Sequence, residues 1–214
     1  MLILMLIGWY SLMKMEKYFG EENTQVYCSD FVLSVSKGDT VSTLSSSNAL
    51  KDVTMSYGCN YYSTPVGEMN VVKKMKEVKA VVGGEGGGGI IYPDLHYGRD
   101  ALVGIALFLG LLVNKSNKVS KLRDEFPKYY MKKLKITLKD SNLIDQVFEK
   151  LVSKYSDLSP NTEDGVRIDF TEGWVHMRKS NTEPIVRIFS ESDTQINADK
   201  IALDIEKEIN DLVN

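Results

Sequence analysis

The stretch Gly83-Gly84-Glu85-Gly86-Gly87-Gly88-Gly89 sets one carboxylate in a backbone almost free of side chains. Glycine loses more conformational entropy on folding than any other residue, and in return it reaches positive φ and lets another backbone or a ligand come close. A plain connector has little reason to carry that cost, so a ligand-facing loop is the natural reading; the same residues also suit a flexible surface loop. Val78-Lys79-Ala80-Val81-Val82 ahead of it reads as a buried strand. Ile90-Ile91-Tyr92-Pro93-Asp94-Leu95-His96-Tyr97-Gly98-Arg99 follows, and residues 100–113 read as a helix rich in Ala and Leu. The loop therefore falls at the carboxyl end of a strand, where α/β sheets keep their ligands.

A β/α rhythm leads up to it. Residues 21–36 repeat apolar positions Val26, Tyr27, Phe31 and Val35 near helical spacing, and Lys37-Gly38-Asp39 ends that helix. Strands are expected at 40–44 and 60–64, separated by a helix from Ser47 to Ser56 that Ser47 or a neighbour caps. Pro65-Val66-Gly67 turns into a helix over 68–77 with Val71, Val72 and Met75 inward. Alternation of this kind implies a mostly parallel sheet covered on both faces, a three-layer α/β domain. Beyond Pro127 the rhythm changes. A strand at 133–138, a helix at 142–155, strands at 166–170, 174–179 and 185–190 and a helix at 197–213 imply a smaller, antiparallel α+β domain.

The second candidate site is Arg178-Lys179-Ser180-Asn181-Thr182-Glu183-Pro184-Ile185-Val186-Arg187. Two arginines flank a turn with two hydroxyls and open backbone amides, a way of holding a phosphate group. Taken alone, the same segment is equally a polar hairpin with solvated charges. Net charge is −3, so no basic footprint points to nucleic acid and any anion must be bound locally. Cys28 and Cys59 have neither metal-ligand nor disulfide-framework spacing, which favours reduced thiols, a cytoplasmic protein and no metal site. The apolar opening at 1–15 lacks a basic start and a small-residue cleavage site and is short for a membrane span.

From Tyr18 onward the chain resembles the α-D-phosphohexomutases, the phosphoglucomutase, phosphomannomutase and phosphoglucosamine mutase group. The segment from Arg178 to Arg187 is similar to that family's phosphate-binding loop, with Asn181 where Gly is usual, an exchange that Asn tolerates through its access to left-handed conformations. Gly84-Glu85 resembles the start of the sugar-binding loop, in which the glutamate meets substrate hydroxyls; Gly87 and Gly89 stand where that loop has Ser and His. Thr64-Pro65-Val66-Gly67 is similar to a turn that faces the cleft. The resemblance thus implies sugar contacts at Thr64, Gly67, Gly84, Glu85 and Gly87 and phosphate contacts at Arg178, Ser180, Asn181, Thr182 and Arg187, with the third domain at 18–130 and a TBP-like fourth domain at 131–214. It implies a hexose phosphate as ligand and no membrane or nucleic-acid partner.

The family's catalytic serine and its Mg²⁺ loop belong to two earlier domains, and neither motif occurs here, so no residue of this chain is assigned a catalytic or metal-binding role. Mg²⁺ and a hexose 1,6-bisphosphate are cofactors of the intact family. Ser45-Ser46-Ser47-Asn48 reads as a turn and helix cap rather than as a nucleophile. Residues 1–17 are read as an out-of-frame remnant: suitable synonymous codons for 3–11, preceded by one G, spell Asp-Pro-Asp-Val-Asp-Arg-Leu-Val-Phe, the family's metal loop. Genomic DNA upstream that is unrelated to a mutase would refute this. The expectation is a C-terminal fragment of a mutase that interconverts hexose 1- and 6-phosphates. The alternatives are a non-catalytic sugar-phosphate-binding module or the product of a disrupted gene. Surface that the absent domains would cover is open to self-association.

Overall fold

This computed structural model describes residues 20–115, 119–137, 143–180 and 185–213. Residues 1–17 lie outside these, as do Asn181 and Thr182. The chain divides between Lys128 and Tyr129 into two compact units.

In the first unit, α1 (Glu21–Val35) opens with two glutamates, whose charge suits a helix N-terminus. Strand β1 (Thr40–Thr43) follows, then α2 (Asn48–Ser56), β2 (Tyr61–Thr64), α3 (Glu68–Val78), β3 (Val82–Glu85), β4 (Gly89–Ile91), α4 (Ala101–Lys115) and the short α5 (Val119–Leu122). The serine cluster is a turn and cap: the Ser47 hydroxyl accepts from the Ala49 amide at 3.2 Å, and Ser46 Oγ lies 3.0 Å from Thr43 Oγ1. Strand order is β2-β1-β3-β4; β1 runs parallel to β2 and β3, and β4 returns antiparallel to β3. One face packs on α3, with Val41, Val71, Val72, Met75 and Ile91 buried together. On the other face lie α1, α2 and α4, where Tyr27 meets Phe126 edge-on at 4.5 Å between ring centroids.

The apolar run 78–82 is not the strand that its composition suggests. Val78 ends α3, Lys79 takes a left-handed conformation at φ 55° with its amide bonded to the Met75 carbonyl, and Ala80 is buried between elements. Only Val82 joins β3, which Gly83, Gly84 and Glu85 complete. The glycine stretch is consequently a β-hairpin, not a loop. Sterics demand it: a Cβ on Gly83 would lie 2.5 Å from Met75 Sδ and 2.9 Å from the Val41 carbonyl, and one on Gly84 would lie 2.1 Å from the Gly89 carbonyl.

The second unit holds β5 (Tyr130–Thr137), α6 (Leu143–Lys154), a 3-10 turn (Ser156–Leu158), β6 (Val166–Phe170), β7 (Gly173–Lys179), β8 (Ile185–Ser192) and α7 (Gln195–Val213). The sheet is antiparallel throughout, in the order β5-β8-β7-β6. Val175 and Met177 of β7 and Val186 and Ile188 of β8 pack with Ile144, Val147 and Leu151 of α6 and Ile205 and Ile209 of α7. Strand alternation sends Trp174, His176 and Arg178 of β7, and Arg187, Phe189 and Glu191 of β8, to the opposite face. The register sets these residues side by side, Trp174 against Glu191, His176 against Phe189 and Arg178 against Arg187.

Candidate functional site

Glu85 is the last residue of β3, at the carboxyl end of the parallel strands, and its carboxylate is held on both oxygens. Oε1 accepts from the Gly67 amide at the N-terminus of α3 at 3.1 Å, and Oε2 lies 2.8 Å from Arg99 Nη1. Arg99 is itself fixed by Glu68 in the first turn of α3. Its Nε donates to Glu68 Oε2 at 2.9 Å, and its backbone amide donates to Glu68 Oε1 at 3.3 Å. Two carboxylates therefore share one guanidinium, and an excess negative charge remains at the strand ends. Hydrogen-bond capacity remains too, because a carboxylate accepts up to about four bonds. Glu85 can thus orient hydroxyl or ammonium donors of a ligand without moving.

The other residues expected here are close by in the fold. Thr64 ends β2, buried, with its hydroxyl donating to the Pro65 carbonyl at 3.0 Å, so its side chain is already engaged. Gly67, at φ 128°, directs its amide to Glu85. Gly84 is interior to β3, and Gly87 occupies the hairpin turn with open space where a Cβ would project. Behind them Asp100 caps α4, accepting from the Leu102 amide at 2.8 Å and the Val103 amide at 3.1 Å. The Val103 amide above all, and then His96 at 3.1 Å, hold the Asp100 carboxyl below its usual pKa. His96 Nδ1 accepts from the Gly98 amide at 3.1 Å, which leaves Nε2 to carry the proton toward Asp100.

In the second unit Arg178 and Arg187 are direct cross-strand partners next to the turn, and Ser180 closes the hairpin by donating its amide to the Ile185 carbonyl at 3.0 Å. Like charges opposite one another in an antiparallel pair are destabilising unless an anion lies between or beside them. One does: Asp164 Oδ2 is 2.7 Å from Arg178 Nε. His176, fully buried one step back along β7, donates Nε2–H to the Asp164 backbone carbonyl at 2.6 Å. Burial pushes its pKa down to about 4, so it stays neutral at ordinary pH. Arg167 lies over the Trp174 ring at 4.3 Å, and the Trp174 indole donates to the buried Glu191 carboxylate at 2.9 Å.

Sequence reasoning did not single out Arg99, Glu68, Asp164 or His176. Arg99 and Glu68 lie 31 positions apart, and only the return of the chain to the head of α3 makes them neighbours. Among the described residues, no group of three His, Cys, Asp or Glu side chains is placed to hold a metal ion, and no helix is long and apolar enough to cross a membrane.

Comparison with known proteins agrees with this two-unit fold. Residues 20–130 match the family described as phosphoglucomutase/phosphomannomutase, alpha/beta/alpha domain III, and residues 122–208 match the phosphoglucomutase/phosphomannomutase C-terminal domain. A phosphoglucosamine/phosphogalactosamine mutase of Sulfurisphaera tokodaii is 34% identical over 78% of this chain and 37% of its own length. A phosphoglucomutase/phosphomannomutase of Thermococcus kodakarensis is 35% identical over 74% of this chain and 35% of its own. This chain thus spans little more than a third of either relative. A phosphoglucomutase/phosphomannomutase family protein of Burkholderia thailandensis shares the fold, with a TM-score of 0.77 at 20% identity over 95% of this chain and 44% of that one. An N-acetylphosphoglucosamine mutase of Aspergillus fumigatus, solved with GlcNAc-6P and magnesium, superposes at a TM-score of 0.67 and 13% identity, covering 94% of this chain and 49% of its own. With both of its units matched in order, the chain belongs to the phosphoglucomutase/phosphomannomutase family, of which it carries the third and the C-terminal domains.

Proposed function

We propose that this chain is the substrate-binding half of a phosphohexomutase that acts on a hexose phosphate: the first unit holds sugar hydroxyls at Glu85, and the second holds the phosphate that is not being transferred. The observation that carries this is the Arg178–Arg187 pair, two arginines at directly paired positions beside the Ser180 turn, with one carboxylate, Asp164, on Arg178. A phosphate group offsets the positive charge that remains, and the arginine fork matches its oxygens. Asn181 and Thr182 would add backbone and hydroxyl donors. Gly67 and Arg99, by fixing Glu85, make the sugar end rigid before the ligand arrives.

Turnover needs an in-line nucleophile and neutralisation of the developing charge, which in this family a phosphoserine and Mg²⁺ supply. Binding that is equal in ground and transition states does not accelerate chemistry. These residues alone therefore bind without converting. Location in the cytoplasm fits the two free cysteines, of which Cys28 is buried with its thiol pKa raised. Self-association fits the outward face of α4, where Leu102 and Val113 are 75% and 79% exposed.

Calorimetric titration with inorganic phosphate tests the reading. Weak binding, on the order of millimolar, is expected because ordering costs offset a few charge-assisted contacts. The double variant Arg178→Ala/Arg187→Ala should lose it, and unchanged binding in that variant rejects the site. The purified chain, given Mg²⁺ and glucose 1,6-bisphosphate, should show no interconversion of glucose 1-phosphate and glucose 6-phosphate. Turnover after removal of host mutase would overturn the assignment of a binding role only.

A further inference from the structure

We infer that Asp164 is a positioning residue for the phosphate site, holding the Arg178 guanidinium in place against Arg187 before any ligand arrives; the inference rests on the phosphate reading of that hairpin. Left to themselves, two arginines at directly paired positions would repel each other and splay toward solvent. The 2.7 Å contact from Asp164 Oδ2 to Arg178 Nε opposes this, and the Arg178 side chain is only 21% exposed. The contact is an ion pair in which Nε finds no hydrogen-bond partner among the described residues, so the guanidinium keeps its donors for phosphate oxygens.

The carboxylate can act as an anchor because its loop is itself fastened on both sides. Just after it, Gly165 adopts φ 76°, and a Cβ there would lie 2.1 Å from the Met177 carbonyl, so the turn lies directly on the β7 backbone. Just before it, Asn161 exchanges two backbone hydrogen bonds with Arg167, at 2.9 and 2.8 Å. His176 adds the third fastening through the Asp164 carbonyl. A carboxylate at the tip of a loose loop would lose entropy in holding an arginine; this one has already lost it. The same charge also repels an incoming phosphate, so positioning and repulsion predict opposite signs for its removal.

Asp164→Ala separates them, because it removes the carboxylate and keeps the backbone carbonyl that His176 grips. Two measurements on the full chain decide the matter: the order of the Arg178 Nε–H group by nitrogen-15 NMR, and inorganic phosphate affinity by calorimetry. In the parent chain Arg178 Nε–H should be rigid. In Asp164→Ala it should become mobile and phosphate affinity should fall about three- to tenfold, the cost of immobilising one long side chain on binding. Asp164→Asn keeps the shape but removes the charge, so it should behave like Asp164→Ala; affinity within about twofold of the parent would overturn the ionic account of the contact. An Arg178 Nε–H that is equally ordered without the carboxylate overturns the inference, and so does affinity that is unchanged or tighter in Asp164→Ala. If the parent chain binds no phosphate, the functional reading of the hairpin fails, while the Nε–H measurement still decides whether Asp164 holds Arg178.

Discussion

In the β3–β4 hairpin the group proposed to meet the ligand is a single anion, Glu85, and everything that fixes it comes from elsewhere: an amide from Gly67, and Arg99 braced by Glu68. In the β7–β8 hairpin two cations face each other within the hairpin, and the group that steadies one of them, Asp164, comes from the preceding loop. The first hairpin has shed its side chains so that backbones can touch. The second is crowded with them, Trp174, His176, Arg178, Arg187, Phe189 and Glu191 sharing one face. Stripping a hairpin makes its position depend on close backbone packing. Crowding one makes its electrostatics depend on pairing. The two should fail in different ways.

The largest effect is expected at the close backbone approach inside the first hairpin. Gly84→Ala drives a methyl group toward the Gly89 carbonyl and should cost about 3–5 kcal/mol, read as a lowered urea midpoint. A loss under about 1 kcal/mol would show that the first hairpin can relax and would erase the contrast.

Next comes pH, which should act on the second hairpin. His176 has a folded pKa of about 4 against an ordinary 6.5, so the unfolded chain binds the extra proton first as pH falls. Stability conferred by the neutral, buried imidazole is complete above pH 6.5 and declines as pH drops toward 4, by up to about 3 kcal/mol. Below that the dependence on this group ends. Burial is the chief cause, with Arg167 and Arg178 acting in the same direction and Asp164 against it. His176→Gln should flatten the midpoint between pH 6.5 and 4; an unchanged slope would assign the decline to other groups.

Arg99→Ala should cost less, about 1 kcal/mol, because all three partners retain some exposure and water takes over part of the lost pairing. Its sharper signature is mobility of the Glu85 carboxylate, visible as a change in sugar-phosphate affinity with phosphate affinity intact. Equal loss of both would link the hairpins rather than separate them. The smallest effect belongs to Gly87→Ser: nothing lies within 4 Å of the added Cβ, and stability should change by less than about 0.5 kcal/mol in equilibrium unfolding.

Much of this was legible in the sequence where local rules decide. Ser47 caps α2 as its hydroxyl and position imply, and β6 occupies residues 166–170 as expected. Val71, Val72 and Met75 form the inner face of α3. Local rules failed at 78–82, because a short apolar run serves equally as the end of a helix, a buried joint or a strand, and Lys79 supplies the left-handed residue that Gly or Asn would have advertised. The glycines looked like a loop since nothing in their composition reveals that Met75 and the Val41 carbonyl occupy the space where side chains would go. Glu85 and Arg178 stood out through their company. Their partners Arg99 and Asp164 did not, because an ion pair is a property of tertiary proximity, and 14 positions separate the residues of each pair.

The edges of the second sheet bear on how copies of the chain meet one another. Among the described strands β5 stands at one edge with Lys132, Lys133 and Lys135 along it, and β6 at the other, where Asn161 already pairs with the Arg167 backbone and Asp169 adds charge. An open strand is a template on which another chain can grow, and charge along it makes stacking of copies unfavourable. Charge along these edges therefore works against growth of this unit into stacked strands, independently of the residues proposed to bind ligand.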